Sequence, residues 1–323
     1  MLWPGAALLI AEHRVSVRHR QDGPLNPMKI FVTGAGGLIG GAVASQLSKS
    51  GHVIRGLIRD PGKVTALRDK GVIPVVGTLA ADALLKREAQ AADAVINAAD
   101  ADHRPAVDVL ISALTGTGKL MIQTSGVSIF CDEARGEPSE RLFDDAKPFT
   151  PLFRAERWEM DKRVLAAPGV RSVVVSPALV YGQLLTAPVN SQLQILYADA
   201  RATGTARFVG RGQNRWSVVH IEDLVDLYQL LLETAPPATL AFAENGEEAY
   251  SAIAQAMADN LQLGNAESIS VESAEEKWGH VMAVYGFGSN CRVRASRARA
   301  LGWKPRHASF LDWIRSQPNP GRG

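Results

Sequence analysis

The stretch Lys29-Ile30-Phe31-Val32-Thr33-Gly34-Ala35-Gly36-Gly37-Leu38-Ile39-Gly40 decides the fold. Five residues of strand character run into glycines spaced three apart, at 34, 37 and 40, and then into a helical pattern. Each glycine answers a physical need. Gly34 permits the tight strand-to-helix turn, Gly37 lets backbone approach a pyrophosphate, and Gly40 lets the helix pack closely on the strand. The first helical turn, through Leu38 and Ile39, offers unpaired N–H groups and the positive end of the helix dipole to phosphate. A glycine trio alone says little. Here it follows a strand and opens a helix at the front of a βαβ unit, the context a dinucleotide site requires.

Outward from that motif, short apolar runs alternate with amphipathic helical stretches, the signature of a parallel sheet with crossover helices. Strands are expected at 29–33, 53–58, 73–76, 94–97, 120–124 and 170–175, and helices at 38–50, 64–69, 82–90, 106–116 and 154–166. The fold class is therefore α/β, a doubly wound Rossmann sheet over 28–180. After Tyr181 the regularity loosens, with a hinge expected near 180–183. A smaller substrate-binding lobe is expected over 181–315, with a strand at 216–220 and a helix at 221–233 returning to the Rossmann core, then a tail at 316–323. Residues 1–27 read as a disordered extension. Their apolar run has no basic residue before it, unlike a secretory signal, and is too short to span a bilayer.

Bulk composition excludes more than it selects. The 323 residues suffice for a sizeable core, and the 46 % hydrophobic and 21 % charged fractions are ordinary for a globular protein. A net charge of +2, spread along the chain, gives no footprint for nucleic acid or an anionic membrane. The nearest basic run, Arg292, Arg294, Arg297 and Arg299, reads as a solvated helix face. Two isolated cysteines, Cys131 and Cys291, make neither a disulfide framework nor a metal site, and fit a reducing cytoplasmic compartment. The expected partner is a small molecule, with a homodimer the default assembly.

The second strand bears on cofactor choice. It ends Leu57-Ile58-Arg59-Asp60-Pro61. Asp60 has the spacing of an acid that bonds a ribose 2′-hydroxyl, but it reads equally as an N-cap with proline at the first helical position. Arg59, one residue earlier, is placed to pair with a 2′-phosphate and stack on adenine, with Lys63 assisting. These arguments favour NADP and leave NAD open.

Taken with Asn97-Ala98-Ala99, Thr124-Ser125-Gly126 and Pro177-Ala178-Leu179-Val180-Tyr181-Gly182, the opening motif resembles an extended short-chain dehydrogenase/reductase of the NAD-dependent epimerase/dehydratase branch. The run Trp216-Ser217-Val218-Val219-His220-Ile221-Glu222-Asp223-Leu224 and the closing Leu301-Gly302-Trp303-Lys304-Pro305 match in kind and order, so the likeness covers about Met28 to Ile314. The resemblance implies that Thr33, Gly34, Gly36, Gly37, Leu38, Ile39 and Gly40 cradle the cofactor. It likewise places Ala98 and Ala99 beside the adenine ribose, Thr124 and Ser125 near the nicotinamide, and Pro177 in the loop covering it. His220 and Asp223 would pack the two lobes together.

The likeness breaks at the chemistry. The family's Tyr-x-x-x-Lys pair, in which lysine lowers the tyrosine pKa for proton transfer, aligns here with Phe153-Arg154-Ala155-Glu156-Arg157. Phenylalanine has no proton to give. Arg157 keeps the charge and would hold nicotinamide-ribose hydroxyls, but its pKa is too high for proton transfer. No tyrosine lies between the fifth strand and Tyr181. Three readings follow. One is an NAD(P)-dependent oxidoreductase or epimerase/dehydratase-like enzyme acting on a small carbonyl or alcohol. Its protons would be handled by Tyr181, by His103 with Asp100 and Asp102, or by a water ordered by Ser125 and Ser128. The second is a silent NADP(H)-binding redox sensor of NmrA-like kind. The third is chemistry that needs no general acid.

Overall fold

The computed structural model describes residues 27–182 and 191–319. Nearly all of the expected N-terminal extension lies outside them, as do Gln183 of the expected hinge and residues 320–323 of the expected tail. The nucleotide-binding half runs β1 (Lys29–Thr33), α1 (Leu38–Lys49), β2 (Val53–Ile58), α2 (Val64–Arg68), β3 (Ile73–Val76), α3 (Asp82–Ala91), β4 (Ala94–Asn97), α4 (Arg104–Leu114), β5 (Leu120–Thr124), β6 (Phe143–Asp144), α5 (Ala155–Leu165) and β7 (Arg171–Pro177). β4 and β5 have no exposed residue, as strands covered by helices on both faces must.

Seven strands form the main sheet in the order β11-β7-β5-β4-β1-β2-β3, where β11 is Thr239–Ala243. All of its neighbours pair parallel. The chain winds outward from β1 through β2 in one direction and restarts at β4 in the other. That reversal leaves a crevice at the carboxyl ends of β1 and β4, where open α/β sheets take ligands.

β11 is the strand of the main sheet that the pattern reading missed. Its five residues are all buried, and so short an apolar run cannot be told from a helix segment by periodicity. Other differences are small. β7 continues to Pro177, two residues past the expected end, because Ser176 and Pro177 stay in register with Phe242 and Ala243. α4 starts at Arg104, two residues earlier than expected, because His103 caps it.

The remaining elements are β8 (Leu179–Tyr181), α6 (Gln192–Thr203), β9 (Arg207–Val209), β10 (Arg215–His220), α7 (Ile221–Thr234), β12 (Glu247–Ala249), α8 (Tyr250–Leu261), β13 (Glu267–Ile269), α9 (Val271–Trp278), a π-helical turn Val281–Phe287, β14 (Val293–Arg294), α10 (Ser296–Ala300) and α11 (Phe310–Arg315). They build a three-stranded sheet β12-β10-β8 and two strand pairs, β13-β9 and β14-β6. The C-terminal segment is tied down by Asp223, which is fully buried and accepts the backbone N–H groups of Arg306 and His307. The Trp303 indole donates to the Asp223 carbonyl.

The arginine run near the C-terminus is not uniformly solvated. Arg292 holds Glu247 through Nε and Nη2 at 2.8 Å each, and Arg299 bonds Glu244 at 2.6 Å. Arg294 and Arg297 are exposed. No described helix is long and apolar enough to cross a membrane.

Candidate active site

A cleft of about 770 Å³ opens at the tips of β1, β2 and β4. Its walls include Gly34, Gly36 and Gly37 from the turn, Arg59, Asp60 and Lys63 after β2, and Ala98, Ala99 and His103 after β4. Gly34 has φ +68°, and a Cβ there would sit 2.5 Å from the Ala98 carbonyl oxygen. A Cβ on Gly40 would lie 2.4 Å from the Gly34 carbonyl oxygen. Those two glycines are sterically obligatory, whereas a Cβ on Gly37 would meet only the Gly34 oxygen, at 3.2 Å. Gly37 is also the N-cap of α1 and carries no side chain to cap it. The first-turn N–H groups of Leu38, Ile39 and Gly40 therefore stay available, and with the open cleft above them the residues present fit a dinucleotide pyrophosphate.

The acid–base ambiguity after β2 resolves. Asp60 is an N-cap: its Oδ1 accepts the Gly62 N–H at 2.8 Å, ahead of Pro61. Arg59 is exposed at the cleft wall, with no hydrogen bond or ion pair among the described residues. Lys63 reaches back over the turn, its Nζ 3.5 Å from the Gly36 carbonyl oxygen.

Thr33 and Thr124, expected as cofactor contacts, have their hydroxyls engaged elsewhere. A buried polar ladder crosses the sheet below the cleft. Thr33 Oγ1 donates to Asn97 Oδ1, and Asn97 Nδ2 donates to Gln123 Oε1 at 2.8 Å. Gln123 Nε2 then donates to the Thr124 carbonyl, and Thr124 Oγ1 lies 2.6 Å from the Tyr228 hydroxyl. Burial, partly offset by Thr124, drives the Tyr228 phenol pKa up. The ladder satisfies polar groups that would be costly if left unpaired, and it holds the strand tips in register.

The proton-handling candidates separate. Tyr181 is 3 % exposed, donates its hydroxyl to the His307 carbonyl at 2.8 Å, and packs against Phe310 and Trp313. Burial first, then Asp223, lifts its pKa to about 12, so it belongs to packing between elements rather than to proton transfer at the cleft. His103 lines the cleft, but its Nδ1 accepts the Ala106 N–H and caps α4. Asp100 accepts the Asp102 N–H in a tight turn, and no hydrogen bond joins it to the His103 ring among the described residues. Pro177 closes β7, and Ala178 after it donates to the Ala243 carbonyl.

Ser125, Ser128 and Arg157 do converge. Arg157 Nη1 is 3.4 Å from Ser128 Oγ, while its Nε donates to Asp102 Oδ1 at 2.7 Å and its Nη2 to Asp102 Oδ2. Arg157, first of all by its hydrogen bonds, holds the Asp102 carboxyl below its ordinary pKa. Ser125 Oγ donates to Asp161 Oδ2 at 2.6 Å. Phe153 lies two residues ahead of α5, not on it, and stacks on Tyr285 with ring centroids 3.9 Å apart.

Pattern reading missed Asp161 and Tyr285. Asp161 stands four residues after Arg157 on a helix, between the buried Met160 and Val164 stripe, so helical spacing carried the signal. Tyr285 comes from the π-helical turn far along the chain, and no local pattern announces it.

A second cleft, about 740 Å³, runs outside α4 and α5, but its arginines 154, 157 and 163 are paired with Asp102 and Asp108. His220, Glu222 and His307 place possible ligand atoms within 4.8 Å of one another. The His220 Nδ1 accepts the Glu222 N–H, which leaves a ring donor at Nε2 rather than a lone pair for a metal.

A glycine-rich turn at the switch point of a parallel sheet, feeding an uncapped helix beneath an open cleft, defines a nicotinamide-dinucleotide-binding protein of the extended short-chain dehydrogenase/reductase class. The chain belongs to the NAD-dependent epimerase/dehydratase family, whose model matches residues 30–240. It is 29 % identical over 299 residues to an uncharacterised protein of Schizosaccharomyces pombe, covering 88 % of this chain and 97 % of the relative. It is 25 % identical to the 4-hydroxy-2-methyl-3-oxo-4-farnesyl-3,4-dihydroquinoline-1-oxide ketoreductase of Stigmatella aurantiaca, covering 92 % and 98 %. Among solved structures, a dTDP-glucose 4,6-dehydratase of Bacillus anthracis in complex with NAD superposes with a TM-score of 0.69. That likeness, at 15 % identity over 89 % of this chain and 94 % of the other, is one of fold.

Proposed function

We propose that the protein is an NADP(H)-dependent reductase of a small ketone, an oxidoreductase of its family with a rearranged acid–base set. The observation that carries the reading is Arg59, exposed on the cleft wall with no partner among the described residues, while the neighbouring Asp60 carboxylate accepts the Gly62 N–H. A guanidinium there favours a 2′-phosphate, and the Asp60 carboxylate beside it already has one oxygen on the Gly62 N–H. Reduction rather than sugar chemistry is supported by the likeness to a ketoreductase over nearly the whole chain.

Within this reading Gly34, Gly37 and the α1 amides hold the pyrophosphate, and Ala98 and Ala99 border the adenine ribose. Arg157 orients the nicotinamide ribose from α5, with Ser128 beside it. The bound reduced nicotinamide supplies hydride to the ketone carbon. The test follows loss of nicotinamide absorbance with NADPH and with NADH against a panel of 3-oxo esters, cyclic ketones and aldehydes. NADPH-dependent reduction of at least one ketone is expected. No turnover with either cofactor on any panel member would overturn the reading.

A further inference from the structure

We infer that Ser125 and Asp161 form a proton-delivery pair where the tip of β5 meets α5, Ser125 Oγ donating to the substrate oxygen and Asp161 restoring the serine proton. The inference rests on the reductase reading above and names the group that replaces the family's tyrosine.

The geometry is specific. Ser125 is the first residue past β5, anchored by its N–H to the Val175 carbonyl at 2.7 Å, and its hydroxyl is directed 2.6 Å onto Asp161 Oδ2. Asp161 is 1 % exposed on the inner face of α5. No salt bridge reaches it among the described residues. The nearest cation on its own helix, Arg157, is committed to Asp102. Of the elements packed on α5, the β7 strand carries one ionisable side chain, Arg171, which bonds the Leu232 carbonyl. The turn Val127–Phe130 carries none. On α4, Asp108 pairs with Arg104 and Arg163.

A carboxyl without a counter-ion in such a place prefers to be neutral. Burial, opposed by the Ser125 hydrogen bond and by Arg157, with Asp102 adding to the rise, places its pKa at about 7. Once protonated, the carboxyl becomes the donor across the same 2.6 Å contact and frees the Ser125 proton for the substrate, near neutrality, in the range where general acids work best.

The step balances. As hydride reaches the ketone carbon, the carbonyl π pair takes the Ser125 Oγ proton. The Oγ–H bond that breaks is remade with the proton from the Asp161 carboxyl. Asp161 is left as carboxylate and takes a proton from water after the alcohol leaves. Asp161 acts through Ser125 and touches no substrate, so it is a positioning and resupply residue.

The experiment joins two readouts on wild type, Asp161→Asn and Ser125→Ala. Infrared difference spectra of the cofactor-free protein, titrated from about pH 5 to about pH 9, follow protonated carboxyls, and fluorescence titration checks NADPH binding. Single-turnover reduction of the best panel ketone with NADPH gives the pH profile. Wild type should show a carboxyl titrating near neutrality that Asp161→Asn removes and Ser125→Ala displaces, with NADPH affinity changed less than about threefold. Reduction should fall about a hundredfold in both variants, and the limb of the pH profile near neutrality should vanish in Asp161→Asn. Absence of that carboxyl band, or a loss in rate with the profile shape unchanged, would overturn the inference while leaving the reductase reading standing. No reduction by wild type itself would remove the reductase reading and the delivery step with it, whatever the infrared band shows.

Discussion

The Asp102 carboxylate grips the Arg157 guanidinium at two points, Nε on Oδ1 at 2.7 Å and Nη2 on Oδ2, and so ties the loop after β4 to α5 across the mouth of the site. Arg154 adds a third contact to the same carboxylate at 3.2 Å. The Asp102 side chain is nevertheless 49 % exposed, so water screens the pair. Asp102→Ala should therefore cost less than about 1 kcal/mol of stability, and less again at high salt. Thermal melts at two salt concentrations check this. A loss of several kcal/mol would mean that the loop closure is a structural keystone, contrary to the account.

The glycine turn makes a sharper prediction, because its three motif glycines are not equivalent. Gly34→Ala and Gly40→Ala each drive a methyl into backbone, and Gly34 carries positive φ besides. Each should destabilise by about 2 kcal/mol or more. Gly37→Ala meets only one oxygen at 3.2 Å and should change stability by less than about 1 kcal/mol. Urea denaturation of the three variants ranks them, and equal losses would refute the assignment of space.

Asp161 links folding to pH. Its folded pKa, raised by burial to about 7, lies above the ordinary 3.8, so the native state holds the proton more tightly than the unfolded chain. Its stabilising contribution is whole below the unfolded pKa and is lost as pH rises through about 7. The loss is at most on the order of 4 kcal/mol. His52 and His220 act oppositely: burial lowers both, so their share is lost as pH falls below the ordinary 6.5. Subtracting the Asp161→Asn stability profile from the wild-type profile isolates the carboxyl. A flat difference between acid and neutral pH would contradict the assigned environment.

Both cysteines are buried, Cys131 at 1 % and Cys291 at 0 % exposure, and the Cys291 thiol donates to the Val127 carbonyl at 3.0 Å. Burial first, then Cys131, pushes the Cys291 pKa well up, so at Cys291 neither the access nor the thiolate that thiol reagents require is present, and burial denies access to Cys131. The native protein should react with an aromatic disulfide reagent far more slowly than the unfolded chain does. Rapid native labelling would show that this core opens.

Much of the frame was legible because the decisive signals are local. The Lys29–Gly40 run fixes strand, turn and helix through steric needs of adjacent residues, and the β2 to β5 strands announce themselves as short apolar runs. Thr239–Ala243 was less so, since a buried strand and a buried helical segment look alike over five residues. At the site, the residue types near the strand tips were readable, but their commitments were not. Tyr181 was a candidate until its hydroxyl met the His307 carbonyl, 126 residues away in sequence. The Thr33 and Thr124 hydroxyls are taken up in a ladder whose far end is Tyr228 on α7. Asp161 gains its character from the packing of α5 on β7, a contact between separate elements. Such pairings arise only once the chain is folded.

The most direct test of the account is a titration of the wild-type protein and of Arg59→Ala with NADPH and NADH, followed by nicotinamide fluorescence. Wild type should bind NADPH more tightly than NADH, and Arg59→Ala should lose about tenfold or more for NADPH with little change for NADH, as expected when one charge-assisted contact to a 2′-phosphate is removed. Binding of neither nucleotide by the wild type would contradict the central claim that the glycine turn at the tip of β1 holds a nicotinamide dinucleotide.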